Sequence, residues 1–250
     1  EVNQYSVYHV NDNLKFRLVQ FRGGLRFPVR GSHNLEMYTI WQRYRASIKE
    51  EVIGKDIKGG IAYDYYLGWI SGLRWTTTAI KPRSDGDINP SNGFELSLDI
   101  AYEDNDFIEG LDFSEETGGL TTVFTSNDLM RVTMDGKYHL EIPRTNRWTI
   151  SAEANLGWLS NTEADSFFNF FGGGLLGIQG YPFYSIEGNR MVMSKLAFRI
   201  PIFREKHYPL GWFILQNSVV GFLLQAGDAW NPEQGNFFHK FQLKRSIGIQ

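Results

Sequence analysis

The sequence predicts an all-β fold, a transmembrane antiparallel β-barrel, and three observations predict it. Side chains alternate between apolar and polar over long runs. Those runs reach 11 to 13 residues, whereas strands of water-soluble proteins average about 5 to 6. Aromatic rings sit at the ends of the runs. The composition agrees: 15% of the 250 residues are aromatic and 26 are Gly, yet the mean hydropathy is -0.31. Large rings in a chain that is hydrophilic on average must be interleaved with polar residues. That argues against disorder and against a helical membrane protein.

The alternation is clearest in three segments. From Gly93, Phe94, Leu96, Leu98, Ile100 and Tyr102 share one parity, while Glu95, Ser97, Asp99 and Ala101 share the other. Successive strand side chains point to opposite faces, so this is one apolar face backed by one polar face. Met130, Val132, Met134, Tyr138, Leu140 and Ile142 then alternate with Arg131, Thr133, Asp135, Lys137, His139 and Glu141. After a short turn, Trp148, Ile150, Ala152, Ala154, Leu156 and Trp158 oppose Thr149, Ser151, Glu153, Asn155 and Gly157.

Alternation alone does not say which face is wet, and a soluble β-sandwich would bury the apolar set. Trp148 and Trp158 bracket their strand on the apolar face. Ten steps of about 3.3 Å, tilted by about 40°, give a height near 25 Å, that of an apolar band between two aromatic membrane girdles. The polar faces carry both signs of charge, as a hydrated lumen would.

In chain order the pattern places ten strands at about 14–29, 34–49, 57–67, 71–83, 93–104, 128–143, 147–159, 188–202, 211–228 and 238–250. The first and fourth carry the weakest pattern. Turns are tight at Arg144–Arg147 and Arg204–Leu210, and long at 105–127 and 160–187. Outer-membrane barrels have short turns on one side and long loops on the other, although Arg30–His33 would be a short turn on the long side. A single domain over 1–250 is expected, since no linker or repeat divides it. The termini show neither a signal segment nor a finished pattern, so a portion of a longer chain is expected.

Two uncharged stretches, Ser166–Ile186 and Pro209–Gly227, are long enough to span a bilayer as helices. The first contains five Gly and Pro182, each costly inside a helix, and reads as a loop. The second mixes β-branched, aromatic and amide residues and reads as a strand.

The net charge of -3 gives no positive surface for nucleic acid. Zero Cys excludes disulfides and thiolate metal sites. Five histidines, His9, His33, His139, His207 and His239, lack metal-ligand spacing. No G-x-S-x-G elbow or phosphate loop occurs. No catalytic residue, metal or cofactor is expected. Seven acids between Glu103 and Glu116 suit a solvated outer loop or, with poorer spacing, a calcium loop. Asp85-Gly86-Asp87 reads as a turn.

One series of motifs is more specific. Phe171-Gly172-Gly173-Gly174, Ile178-Gln179-Gly180-Tyr181, Glu187-Gly188-Asn189-Arg190 and Leu196-Ala197-Phe198-Arg199-Ile200-Pro201 follow in that order. Phe222-Leu223-Leu224-Gln225-Ala226-Gly227-Asp228-Ala229-Trp230 comes later. With Asn89-Pro90-Ser91-Asn92-Gly93-Phe94, the series resembles the C-terminal barrel of the BamA/TamA superfamily of outer-membrane assembly and secretion proteins (the bacterial surface antigen family), over roughly residues 89–250. The resemblance implies a sixteen-stranded barrel in the bacterial outer membrane, of which this chain would supply about the fifth to fourteenth strands. It implies insertion or translocation of proteins, with outer-membrane lipid, client outer-membrane or secreted proteins, and periplasmic or lipoprotein partners. A passive channel or structural surface barrel is the rival reading.

In that family an Arg-Gly-Tyr or Arg-Gly-Phe loop folds into the lumen, where its arginine meets an acid on a nearby strand. Here Gln179 stands in the arginine position and Gln225 in that of the acid. Two amides can satisfy one another where a lone buried charge cannot, so Gln179 and Gln225 are expected to meet. Gly180 would allow the turn and Tyr181 would pack on the inner wall, with Gly188 and Asn189 completing the motif. Gly227 and Asp228 follow Gln225 on its strand. Lys195 and Arg199 would hold the loop or the acids Glu141 and Glu153. Trp148 and Trp158 would mark the membrane girdles.

Overall fold

The computed structural model describes residues 4–9, 14–51, 58–82, 88–90, 92–114, 119–175, 177–203, 208–215, 217–232 and 239–249. The chain is all-β. In order it forms β1 (Gln4–His9), β2 (Leu14–Arg30), β3 (His33–Glu51), β4 (Lys58–Thr78), β5 (Gly93–Ser114), β6 (Gly119–Ser126), β7 (Leu129–Glu141) and β8 (Thr149–Leu159). There follow β9 (Phe170–Phe171), β10 (Glu187–Gly188), β11 (Arg190–Phe203), β12 (Tyr208–Leu210), β13 (Phe213–Leu215), β14 (Ser218–Trp230) and β15 (Lys244–Ile249). One large antiparallel sheet has the order β1-β2-β3-β4-β5-β7-β8-β11-β14-β15, with β6 paired to β5. That order is an open path, so it establishes the sheet and not its closure. No helix among the described residues is long and apolar enough to cross a membrane.

Internal contacts divide the chain into two compact units, each described by itself. One holds residues 1–27, 36–74 and 100–131; the other holds 28–35, 75–99 and 132–250. Both have the same inverted distribution. In the second unit Met134, Tyr138, Leu140, Trp148, Leu156, Trp158, Val192, Leu196, Phe222 and Leu224 are all exposed. Their opposite-parity neighbours Thr149 and Ser151 are wholly buried, and Gln225 nearly so. In the first unit Phe21, Leu25, Met37, Trp69, Leu73, Ile100 and Tyr102 are exposed, while Glu103 and Asn105 are buried. The apolar set is therefore not packed beneath a second layer, as it would be in a sandwich.

Four expectations about elements are corrected. Residues 57–67 and 71–83, expected as two strands, form the single strand β4, ending at Thr78. Gly68, in the expected break, and Gly72 make room for rings instead of a turn. A Cβ on Gly68 would lie 2.2 Å from the Tyr66 hydroxyl, and one on Gly72 would lie 2.4 Å from the Tyr38 ring. With β4 unbroken, strand direction alternates so that the Gly31-Ser32 turn falls at the same end of the sheet as the Arg144–Arg147 turn. The misplaced short turn disappears.

The expected loop 105–127 is mostly strand: β5 runs on to Ser114 and pairs with β6 from Asp106↔Ser126 to Ser114↔Gly119. Glu103 and its acidic neighbours up to Asp112 thus lie on β5. Glu103 is ion-paired with Arg131, with Nε and Oε1 2.6 Å apart, which fits neither a solvated loop nor a calcium loop.

The expected strand 211–228 is interrupted. Tyr208–Leu210 and Phe213–Leu215 form a small separate hairpin, and β14 begins only at Ser218. The last strand is Lys244–Ile249 instead of 238–250, and β1 was not anticipated. Asp85-Gly86-Asp87 and His207 lie outside the described residues.

Candidate functional site

Strand register assembles the site. Lys195 on β11 faces Glu153 on β8 and Gln225 on β14, and Gln225 faces Ser246 on β15. One row across four strands is therefore Glu153, Lys195, Gln225, Ser246, all on the polar face. Lys195 Nζ and Glu153 Oε1 are 3.7 Å apart. The next row towards the 160–187 loop contains Met193 and Gly227, and the row beyond it Met191 and Ala229. The polar face thus turns apolar at that end, and the loop covers it.

The loop is built to lie there. Asp165 caps a single helical turn by accepting from the Phe167 N–H at 2.8 Å. Phe170 and Phe171 then pair with Gly188 and Glu187. Between these arms the chain closes on itself, the Ile178 N–H donating to the Gly172 carbonyl at 2.7 Å and the Gly174 N–H to that of Tyr181 at 2.9 Å. Ile178 and Ile186 are buried against Met193 and Ala229, with Tyr181 and Met191 packed alongside. Gly180 has φ +92, a region open to glycine and strained for other residues. Gly188 lets the loop's return arm touch β14, since a Cβ there would lie 2.2 Å from the Trp230 nitrogen.

Gln225 and Gln179 do come together, but not through paired side-chain amides. The Gln179 backbone N–H donates to Gln225 Oε1 at 3.0 Å, and Gln225 Nε2 donates to the Gly177 carbonyl at 2.8 Å. One strand amide thus satisfies a donor and an acceptor of the loop main chain, as a second strand would. The Gln179 side chain lies towards Gly248 on β15.

The remaining polar residues form separate contacts. Asp228, almost fully buried, is ion-paired with Lys244 and accepts from the Gln242 N–H at 2.6 Å. The Asn189 N–H donates to Asn231 Oδ1 at 2.8 Å. Arg190 donates to the Leu159 and Asn189 carbonyls and lies 5.1 Å from the Trp158 ring centroid. Trp148 meets Phe198 edge-on at 5.7 Å.

Of the expected pairings, Lys195 meets Glu153, while Arg199 binds a serine. Its guanidinium donates to Ser151 Oγ at 2.6 Å, and Ser151 also bonds His139 Nδ1 at 2.8 Å. Glu141 lies 3.8 Å from Arg147 on the β7–β8 turn. The sequence did not single out Ser151, Asn231, Lys244 or Arg147, although alternation had placed Ser151 on the face of Glu153.

The first unit holds a second polar chain. Gln42 Nε2 donates to the Tyr66 hydroxyl at 2.6 Å, which donates to Asn105 Oδ1 at 2.6 Å. Asn105 Nδ2 donates in turn to Glu103 Oε2 at 3.3 Å. Arg43 grips Asp64 through two bonds, of 2.7 and 2.5 Å.

No family model and no curated protein matches the sequence. Among solved structures the chain is similar to the crystal structure of BamA from Haemophilus ducreyi lacking POTRA domains 1-3. The identity is 14%, the match covers 100% of this chain and 68% of that one, and the TM-score is 0.39.

Proposed function

We propose that this chain builds the wall of a bacterial outer-membrane β-barrel that acts in inserting or translocating proteins, and is not an enzyme. The observation that carries the membrane part is the inverted sheet, whose exposed face is apolar and whose opposite face holds Glu153, Lys195 and Gln225. So large an exposed apolar face is a liability in water and the natural state in acyl chains. β7, β8, β11 and β14 run 13, 11, 14 and 13 residues, enough to cross an apolar layer of about 25 Å at a tilt. In this reading the polar face lines the lumen and the 160–187 loop folds into it. The ordered motifs from Phe171 to Trp230 support the assembly role, whose partners would be client outer-membrane or secreted proteins and periplasmic or lipoprotein factors.

Gln225 favours a second reading, a passive channel, because a neutral amide replaces the charged clasp of the assembly family. One experiment separates the two. Liposomes carrying the protein are given an unfolded outer-membrane protein, and planar bilayers carrying it are tested for conductance. The assembly reading expects the client to fold faster than in protein-free liposomes. Steady conductance without faster folding would replace it with the channel.

A further inference from the structure

On the polar face of the first unit, two guanidiniums of one strand share a single carboxylate. On β2, Arg22 and Arg26 alternate with the exposed Phe21, Leu25 and Phe27 and so share the opposite face. Arg22 Nη2 lies 2.6 Å from Glu36 Oε1, whereas Arg26 Nη2 is 3.9 Å from Oε2 of the same carboxylate. The Arg26 side chain is 65% exposed and Glu36 only 17%. Beside them the Tyr38 ring, itself buried, has the Arg22 guanidinium 4.9 Å and the Arg74 guanidinium 5.4 Å from its centroid. Within this cluster Arg22 and Arg26 share the one Glu36 carboxylate. A cavity of about 450 Å³ is lined by Arg22, Gly24, Arg26 and Glu36.

We infer that this cavity binds an oxyanion of the phosphoryl type. A guanidinium offers five N–H donors in a flat fork that matches tetrahedral oxyanions, and one carboxylate cannot engage two forks fully. Arg22 is held by Glu36 and the Tyr38 ring and is pre-positioned. Arg26 stands across the cavity with donors directed by neither. Gly24 adds no side chain to fill the space between them. The ligand is a phosphate group, free or on a lipid, and its site is separate from the Gln225 loop contact.

The full chain in detergent micelles is titrated with inorganic phosphate at low ionic strength and followed by ³¹P line broadening. A second titration uses micelles doped with short-chain phosphatidic acid, against phosphatidylcholine as control. The Arg26→Gln variant should weaken binding about tenfold, the loss of one charge-assisted contact. Glu36→Gln should tighten it, because the competing carboxylate charge is gone. Arg245→Gln, on β15, should leave it unchanged. Binding of inorganic phosphate with these signs assigns a soluble oxyanion; the same signs with phosphatidic acid alone assign a headgroup. The inference is overturned if neither probe binds, if Arg26→Gln and Arg245→Gln weaken binding equally, or if Glu36→Gln weakens it. Unchanged strand circular dichroism in each variant keeps misfolding from mimicking a lost site.

Discussion

Gln225 shows how one side chain acts as a piece of main chain. By taking the Gln179 N–H and giving to the Gly177 carbonyl, it closes a buried loop without placing a charge there. Gln225→Ala removes both bonds, each with a net worth of about 0.5–1.5 kcal/mol. Hydrogen exchange at Gln179 should accelerate about tenfold or more, while amides of β8 stay protected. Asp228 is the opposite case, a buried carboxylate kept by a cation. Lys244→Met leaves that charge unpaired and should destabilise the chain by about 3–5 kcal/mol. Adding Asp228→Asn should recover part of the loss, which denaturant unfolding of the single and double variants would measure. The sequence made the meeting of residues 179 and 225 legible but not its form, because composition does not reveal whether an amide finds a side chain or a backbone.

Among the elements, β4 carries the most informative error. The expected break at 68–70 contains Gly68, and Gly72 follows four residues later. In three dimensions they are the seats of the Tyr66 hydroxyl and the Tyr38 ring. A propensity reading cannot see a ring arriving from another strand. Gly72→Leu should force Tyr38 out of its seat and cost about 1–3 kcal/mol, as overpacking does. Tyr38→Ala in the same chain should restore much of that stability in equilibrium unfolding. By contrast, β7 and β8 were legible to within two residues at each end, because alternation over 11 or more positions has no helical reading. β5 was legible only as far as Asp104, since the acids continuing past that point resemble solvated loop. Its pairing with β6 and the Glu103–Arg131 ion pair are long-range facts.

At the scale of the whole molecule, the proposed function depends on which face of the sheet meets lipid. The fold class was legible because period two is local. The face assignment rested on strand length, on charges of both signs on the polar face, and on Trp148 and Trp158, which the structure leaves exposed on the apolar side. The chain has no native Cys, so single cysteines carrying spin labels can be placed along β8 from Ser151 to Leu156 in protein reconstituted into bilayers. The account predicts a two-residue period in collision with lipid-dissolved oxygen, high at Ala152, Ala154 and Leu156 and low at Ser151, Glu153 and Asn155. An inverse period should appear with a water-soluble nickel reagent. Oxygen collision that is low and equal at all six positions, or a period of opposite phase, would contradict it.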